Sequence, residues 1–256
     1  MKLSVLGSCS GTEPFENRHH TAFALTLGER IYWFDAGETC SYTAHLMGLD
    51  LLSVSDIFIS HPHMDHVGGL PNLLWTIRKL CRAYKRPLLT DGVDVYLSAR
   101  ETWDGVMQIL RNTEGSFELP FALEWHSMVA GLLFDDGDVR VTAYPNTHVK
   151  PADGVVRSYS FLIECEGRRI VYSGDVKGYS ELDEAIGAGC DLLIGETAHH
   201  VLEEVFDYVA RHPIGRVVFT HHKREIMENT EATSARVKEL LGNKAVIAYD
   251  GMEVVL

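Results

Sequence analysis

The chain has 256 residues, 46% of them apolar, with 36 acidic against 23 basic side chains and a formal net charge of −13. That length and apolar share fit one domain over residues 1–256 with a sizeable core, and exclude a disordered chain. The acidic balance excludes a surface that coats nucleic acid, because phosphate binding needs a basic footprint.

Strand-like runs rich in Val, Ile, Phe and Tyr begin at Leu3–Leu6 and continue at Ala22–Leu27, Ile31–Phe34 and Asp56–Ser60. The opening Met1–Cys9 has an apolar stretch too short for a signal segment, and it reads as that first strand plus a Gly/Ser loop. Leu70–Tyr84 follows with apolar residues at 70, 73, 74, 77, 80 and 81 and Pro71 near its start, which predicts a helix. Arg78, Lys79, Arg82, Lys85 and Arg86 form a basic patch there, expected to be a solvated helix face. Further strands are expected at Val93–Leu97, Val139–Tyr144, Ser158–Glu164, Arg169–Ser173, Asp191–Ile194, Arg216–Thr220 and Ala245–Ala248. Helices are expected at Glu181–Ala188, Val201–Ala210 and Thr233–Leu241, the first and last followed by glycine. No segment approaches the roughly 20 apolar residues of a membrane span. Cys9, Cys40, Cys81, Cys165 and Cys190 are odd in number and scattered. They predict reduced thiols and a cytoplasmic protein rather than a disulfide framework.

His61-Pro62-His63-Met64-Asp65-His66 directly follows the apolar run Ile57–Ile59 and Ser60. Three imidazoles and a carboxylate in six residues would be costly to bury without a strong partner. At the end of a strand they read as a metal site able to hold two ions. His148, Asp175 and His221 each lie just beyond a later apolar strand, where a sheet commonly places functional groups.

In order, the motifs Phe34-Asp35-Ala36-Gly37, HPHMDH, His148, Ser173-Gly174-Asp175 and Thr220-His221 resemble those of the metallo-β-lactamase superfamily over essentially the whole chain. The resemblance implies an α+β fold, a four-layer αββα sandwich of two mixed β-sheets flanked by helices. It implies two divalent ions, zinc by default and manganese or iron also compatible. His61, His63 and His148 would bind one ion, and Asp65, His66 and His221 the other. Asp175 would bridge them, and Asp35 would orient the loop from behind. A hydroxide bridging the ions would be the nucleophile, held by Asp65 and Asp175 as catalytic residues.

Within the superfamily, Asp65–Leu74 and Gly195-Glu196-Thr197-Ala198 are similar to the ribonuclease Z and cyclic phosphodiesterase branch. Gly195 stands where that branch carries a proton-transferring histidine, and no long Gly/Pro-rich insertion separates Asp175 from His221. The resemblance therefore favours a small or cyclic phosphodiester over a tRNA 3′ end. The leaving-group acid stays open among His199, His200, His222 and a metal-bound water, and His20 and Glu196 are further pocket candidates. Hydrolysis of a carboxylic ester, thioester or lactam is the alternative activity. A non-hydrolytic di-iron protein is disfavoured because His63 is retained. The expected partner is a small molecule rather than nucleic acid or membrane, and a homodimer is compatible with the apolar helix after the metal loop.

Overall fold

The structure, a computed structural model, describes residues 1–12, 15–113, 117–151 and 154–256. These form two compact units, Met1–Ser127 with Tyr249–Leu256, and Met128–Ala248.

The first unit carries strands β1 (Lys2–Gly7), β2 (Ala22–Leu27), β3 (Arg30–Phe34), β4 (Val54–Phe58), β5 (Gly92–Tyr96) and β6 (Ala122–His126). Its helices are α1 (Cys40–Leu46), α2 (Met64–Val67), α3 (Leu70–Tyr84) and α4 (Arg100–Thr113). The second unit carries β7 (Gly131–Asp135), β8 (Val139–Pro145), β9 (Tyr159–Cys165), β10 (Arg168–Tyr172), β11 (Cys190–Glu196), β12 (Ile214–Thr220) and β13 (Ala245–Ile247). Its helices are α5 (Asp183–Ile186), α6 (Leu202–Arg211), α7 (Arg224–Glu228) and α8 (Thr230–Leu241). The chain then returns to the first unit for β14 (Glu253–Val255).

Each unit is built on one mixed seven-stranded sheet, ordered β14-β1-β2-β3-β4-β5-β6 in the first and β13-β12-β11-β10-β9-β8-β7 in the second. The two mixed sheets with flanking helices are those the sequence leads one to expect. Strands β3 to β6 run parallel, as do β10 to β13, and these carry most of the helical connections.

Alternation within a strand gives the first sheet two faces. Trp33, Ile57 and Val95 join a core with Leu70, Leu73, Leu74 and Ile77 of α3 and Trp103, Val106, Met107 and Leu110 of α4. Each such side chain contributes roughly 1.5–3 kcal/mol when fully buried. Phe23, Phe34, Phe58, Tyr96 and His126 lie in register across β2 to β6. They stack at centroid spacings of 4.8, 5.0, 4.8 and 4.8 Å.

Several expected elements shift. The helix expected at Glu181–Ala188 is a 3₁₀ turn at Tyr179–Leu182 followed by one α-turn, ended by Gly187 at φ 52°. The strand expected to reach Ser60 stops at Phe58, because the Ser60 N–H donates to the Asp35 carboxylate at 2.6 Å instead of to a strand. The basic patch is dispersed. Arg78 is buried and donates to the Glu118 carbonyl, Lys79 lies over the Trp75 ring, and Arg86 pairs with Asp50. All five cysteines are free and buried. No helix among the described residues is long and apolar enough to cross a membrane.

Candidate metal centre

In the first unit, β4 delivers the cluster at its C-terminal end, and α2 turns Asp65 and His66 back towards it. His61 and His66 are fully buried, whereas His63 is exposed and Asp65 partly so. His61 Nε2 and His63 Nδ1 are 2.9 Å apart, and His66 Nε2 is 3.6 Å from Asp65 Oδ2. Asp35 organises the group from behind. It accepts from the Ser60 N–H at 2.6 Å, the Ser60 hydroxyl at 2.8 Å and His66 Nδ1 at 2.7 Å. With its proton given to Asp35, the Ser60 oxygen accepts from His61 Nδ1 at 3.0 Å. Both rings thereby hold their protons on Nδ1 and keep the Nε2 lone pair for a ligand role.

Close backbone approach permits this geometry. The Ala36 N–H donates to the His66 carbonyl at 2.7 Å, and a Cβ at Gly37 would lie 2.5 Å from the Asp65 carbonyl. Asp35 itself sits in the left-handed region at φ 54°, as does His221 at φ 50°. Such strain in non-glycine residues persists where surroundings over-determine it.

In the second unit, Asp175 lies beyond β10 and is buried, with its two oxygens turned to different rings. Oδ2 is 3.5 Å from His148 Nε2 and 3.8 Å from His199 Nδ1, and Oδ1 is 3.4 Å from His221 Nδ1. Ligands bonded at about 2.0–2.2 Å around a tetrahedral ion stand about 3.3–3.6 Å apart. The 3.4 and 3.5 Å separations are long for hydrogen bonds and match that spacing, so the residues present fit a divalent ion. Asp175, His199 and His221 also each offer a ligand atom within 4.8 Å of the others.

Glu196 is the hub behind this group. It accepts from the His199 N–H at 3.1 Å, His199 Nδ1 at 2.9 Å, His200 Nε2 at 3.0 Å and the Val176 N–H at 3.3 Å. Burial alone would raise its carboxyl pKa, but hydrogen bonds from His199, His200 and His221 outweigh that and hold it well below the usual range. The same Glu196 bond raises the pKa of His199 against the opposing effect of burial.

A side chain at Gly195 is sterically barred, because a Cβ there would sit 2.6 Å from the Tyr179 hydroxyl. That hydroxyl donates to the Glu196 carbonyl at 2.6 Å. His222 is not exposed. It is fully buried, with Nδ1 against the Thr197 hydroxyl at 2.9 Å and Nε2 against the Ala248 carbonyl at 3.2 Å. His20 is half-buried, its Nε2 3.3 Å from the Thr12 carbonyl.

Sequence reasoning missed Ser60, although it immediately precedes the cluster. It also missed Asp250, which no local pattern announces. The Asp250 carboxylate fixes the β1–β2 loop through the Ser8 N–H and hydroxyl and through the His19 N–H and ring.

The family described as Anti-Pycsar protein Apyc1 matches residues 1–237. The chain belongs to that family. This Apyc1-family chain shares its fold with metallo-β-lactamase fold proteins, and the curated relatives it resembles are named ribonuclease Z. Among curated relatives, ribonuclease Z of Methanothermobacter thermautotrophicus is 31% identical over 150 residues, 58% of this chain and 45% of that protein. The match thus spans less than half the length of that relative. Human tRNase Z, short form (ELAC1), superposes with a TM-score of 0.72 at 22% identity, covering 100% of this chain and 99% of that one. The metallo-β-lactamase fold protein YhfI from Bacillus subtilis gives 0.73 at 16% identity, covering 99% and 98%. These solved structures share the fold with the Apyc1-family chain.

Proposed function

We propose that the chain is a dinuclear metal-dependent phosphodiesterase acting on a small or cyclic phosphodiester. In this reading His61, His63 and His148 hold one ion, Asp65, His66 and His221 the other, and Asp175 both, with zinc as the default metal. The observation that carries it is Asp175, a buried carboxylate whose two oxygens face different histidines at ligand-like spacing. The ions, when bound, supply a water acidic enough to attack phosphorus near neutral pH and offset charge on the phosphoryl oxygens.

The chain's own groups do the rest. Asp65 and Asp175 orient the nucleophile. Among the three histidines open as leaving-group acids, His222 has both nitrogens engaged and His200 gives Nε2 to Glu196. His199 is 41% exposed at its side chain and gives only Nδ1 to Glu196, so Nε2 can hold a proton for the departing oxygen.

A small substrate is supported by the net charge of −13 and by the dispersed basic patch. The stretch from Asp175 to His221 consists of the 3₁₀ turn, α5, β11, α6, β12 and short connections, with no segment for an RNA-grasping arm. The relatives' name of ribonuclease supports phosphodiester chemistry, and the five free thiols support a reducing, cytoplasmic setting.

The test is hydrolysis of bis(p-nitrophenyl) phosphate by protein reconstituted separately with zinc and manganese, with His63→Ala as the blank. Metal-dependent turnover absent from the variant supports the reading. Metal-loaded protein inert on phosphodiesters but active on esters or lactams would overturn it.

A further inference from the structure

Glu181 belongs to no metal-binding pattern in the sequence and lies in the 3₁₀ turn Tyr179–Leu182. Its two carboxylate oxygens nevertheless serve two different loops. Oε1 accepts from the peptide N–H of Thr147 at 3.1 Å and from the Thr147 hydroxyl. Thr147 immediately precedes His148. Oε2 accepts from the peptide N–H of Lys177 at 3.0 Å, two residues beyond Asp175.

The two loops leave different strands, β8 and β10, and each is also tied on its own. The Asn146 side-chain oxygen accepts the His148 N–H at 3.2 Å, and Glu196 accepts the Val176 N–H at 3.3 Å. Glu181 joins one loop to the other. We infer that Glu181 is a positioning residue that sets the separation of His148 and Asp175 before an ion arrives. This rests on the assignment of both residues as ligands.

The physical reason is the cost of ordering. Fixing a backbone residue costs conformational entropy. A loop not already braced must meet that cost out of ion-binding energy. An ionised carboxylate accepting peptide N–H and hydroxyl groups forms charge-assisted bonds, which are short and strong. Because Thr147 is exposed, the same bonds add little to the stability of the fold itself. The brace therefore belongs to ion affinity rather than to folding.

The experiment measures Zn²⁺ affinity by competition with a chromophoric chelator. The proteins are the wild type, Glu181→Ala, Thr147→Val, Thr147→Ser and the Glu181→Ala/Thr147→Val double variant. The thermal midpoint of each metal-free protein is recorded alongside. Outer-shell partners of metal ligands are typically worth about 10–100-fold in affinity. Glu181→Ala is expected to fall in that range with an unchanged metal-free midpoint. Thr147→Ser should bind as the wild type does, and the double variant should lose no more than Glu181→Ala alone.

Should Glu181→Ala fail to fold, Glu181→Gln serves. Its amide oxygen can still meet Thr147 while its amide N–H opposes that of Lys177, so a smaller loss is expected. Wild-type Zn²⁺ affinity in the glutamate variants, or losses matched by a fall in metal-free stability, would overturn the inference and leave the metal centre intact. A wild-type protein that takes up no Zn²⁺ would instead overturn the metal centre, and the inference with it.

Discussion

Asp35 receives three hydrogen bonds within a site that is 0% exposed, so it fixes both the Ser60 turn and the ring of His66. Asp35→Asn places an amide donor among those donors, and Zn²⁺ affinity should fall about 10–100-fold by chelator competition. Asp175→Ala is the more severe change, since it removes the group assigned to both ions. Elemental analysis should show loss of both equivalents, where His221→Ala should lose chiefly one. At Gly195 the obstacle is steric. Gly195→Ala sets a methyl 2.6 Å from the Tyr179 hydroxyl and should destabilise by about 1–3 kcal/mol in urea unfolding. His19 makes a different kind of bond. Its pKa is raised by the Asp250 carboxylate, against the effect of burial. The pair therefore contributes fully below the unfolded histidine value of about 6.5 and fades as pH rises through the higher folded value. Thermal midpoints from about pH 6 to 9 should show wild type losing its advantage over His19→Gln.

At the scale of elements, the ladder Phe23–Phe34–Phe58–Tyr96–His126 ties five strands of one sheet together. Phe58 stacks on both neighbours, and Phe58→Ala should cost about 3–5 kcal/mol, read as a lower urea midpoint. Which elements were legible follows from burial. Strands β4, β9, β11 and β12 carry buried apolar stretches, Ile57-Phe58, Phe161–Ile163, Leu192–Ile194 and Val217–Phe219, that read as strands from the sequence. Strands β6 and β7 lie at sheet edges with exposed positions, and their few apolar residues, Leu123 and Trp125 in one and Leu132, Leu133 and Phe134 in the other, do not stand out from the surrounding sequence. Helix α4 has a sound stripe at Trp103, Val106, Met107 and Leu110, but Gly105 and many polar neighbours obscure it. The candidate ligands are legible because His and Asp cluster after apolar strands. The carboxylates of Glu181, Glu196 and Asp250 act on partners brought near by sheet register or chain return. A linear reading therefore gives Glu181 and Asp250 no role and leaves Glu196 a weak candidate.

For the whole molecule, the net charge of −13 would bear on encounter with the proposed anionic phosphodiester. Long-range repulsion slows approach of an anion, and salt screens it over a Debye length of about 8 Å at physiological ionic strength. kcat/KM should rise with ionic strength from about 10 to 150 mM, with kcat little changed. A decline across that range would indicate a local cationic funnel strong enough to override the global charge. The five thiols carry another whole-molecule consequence. Cys9, Cys40 and Cys81 lie in one unit, Cys165 and Cys190 in the other, each at most 6% exposed. Burial pushes the Cys40 thiol up to about 12 and those of Cys165 and Cys190 to about 11, so the folded state shields weak nucleophiles. They are built-in clocks. The rate at which an alkylating reagent captures each one reports how often its own neighbourhood opens, and timing the two sets against each other would reveal whether the units breathe together.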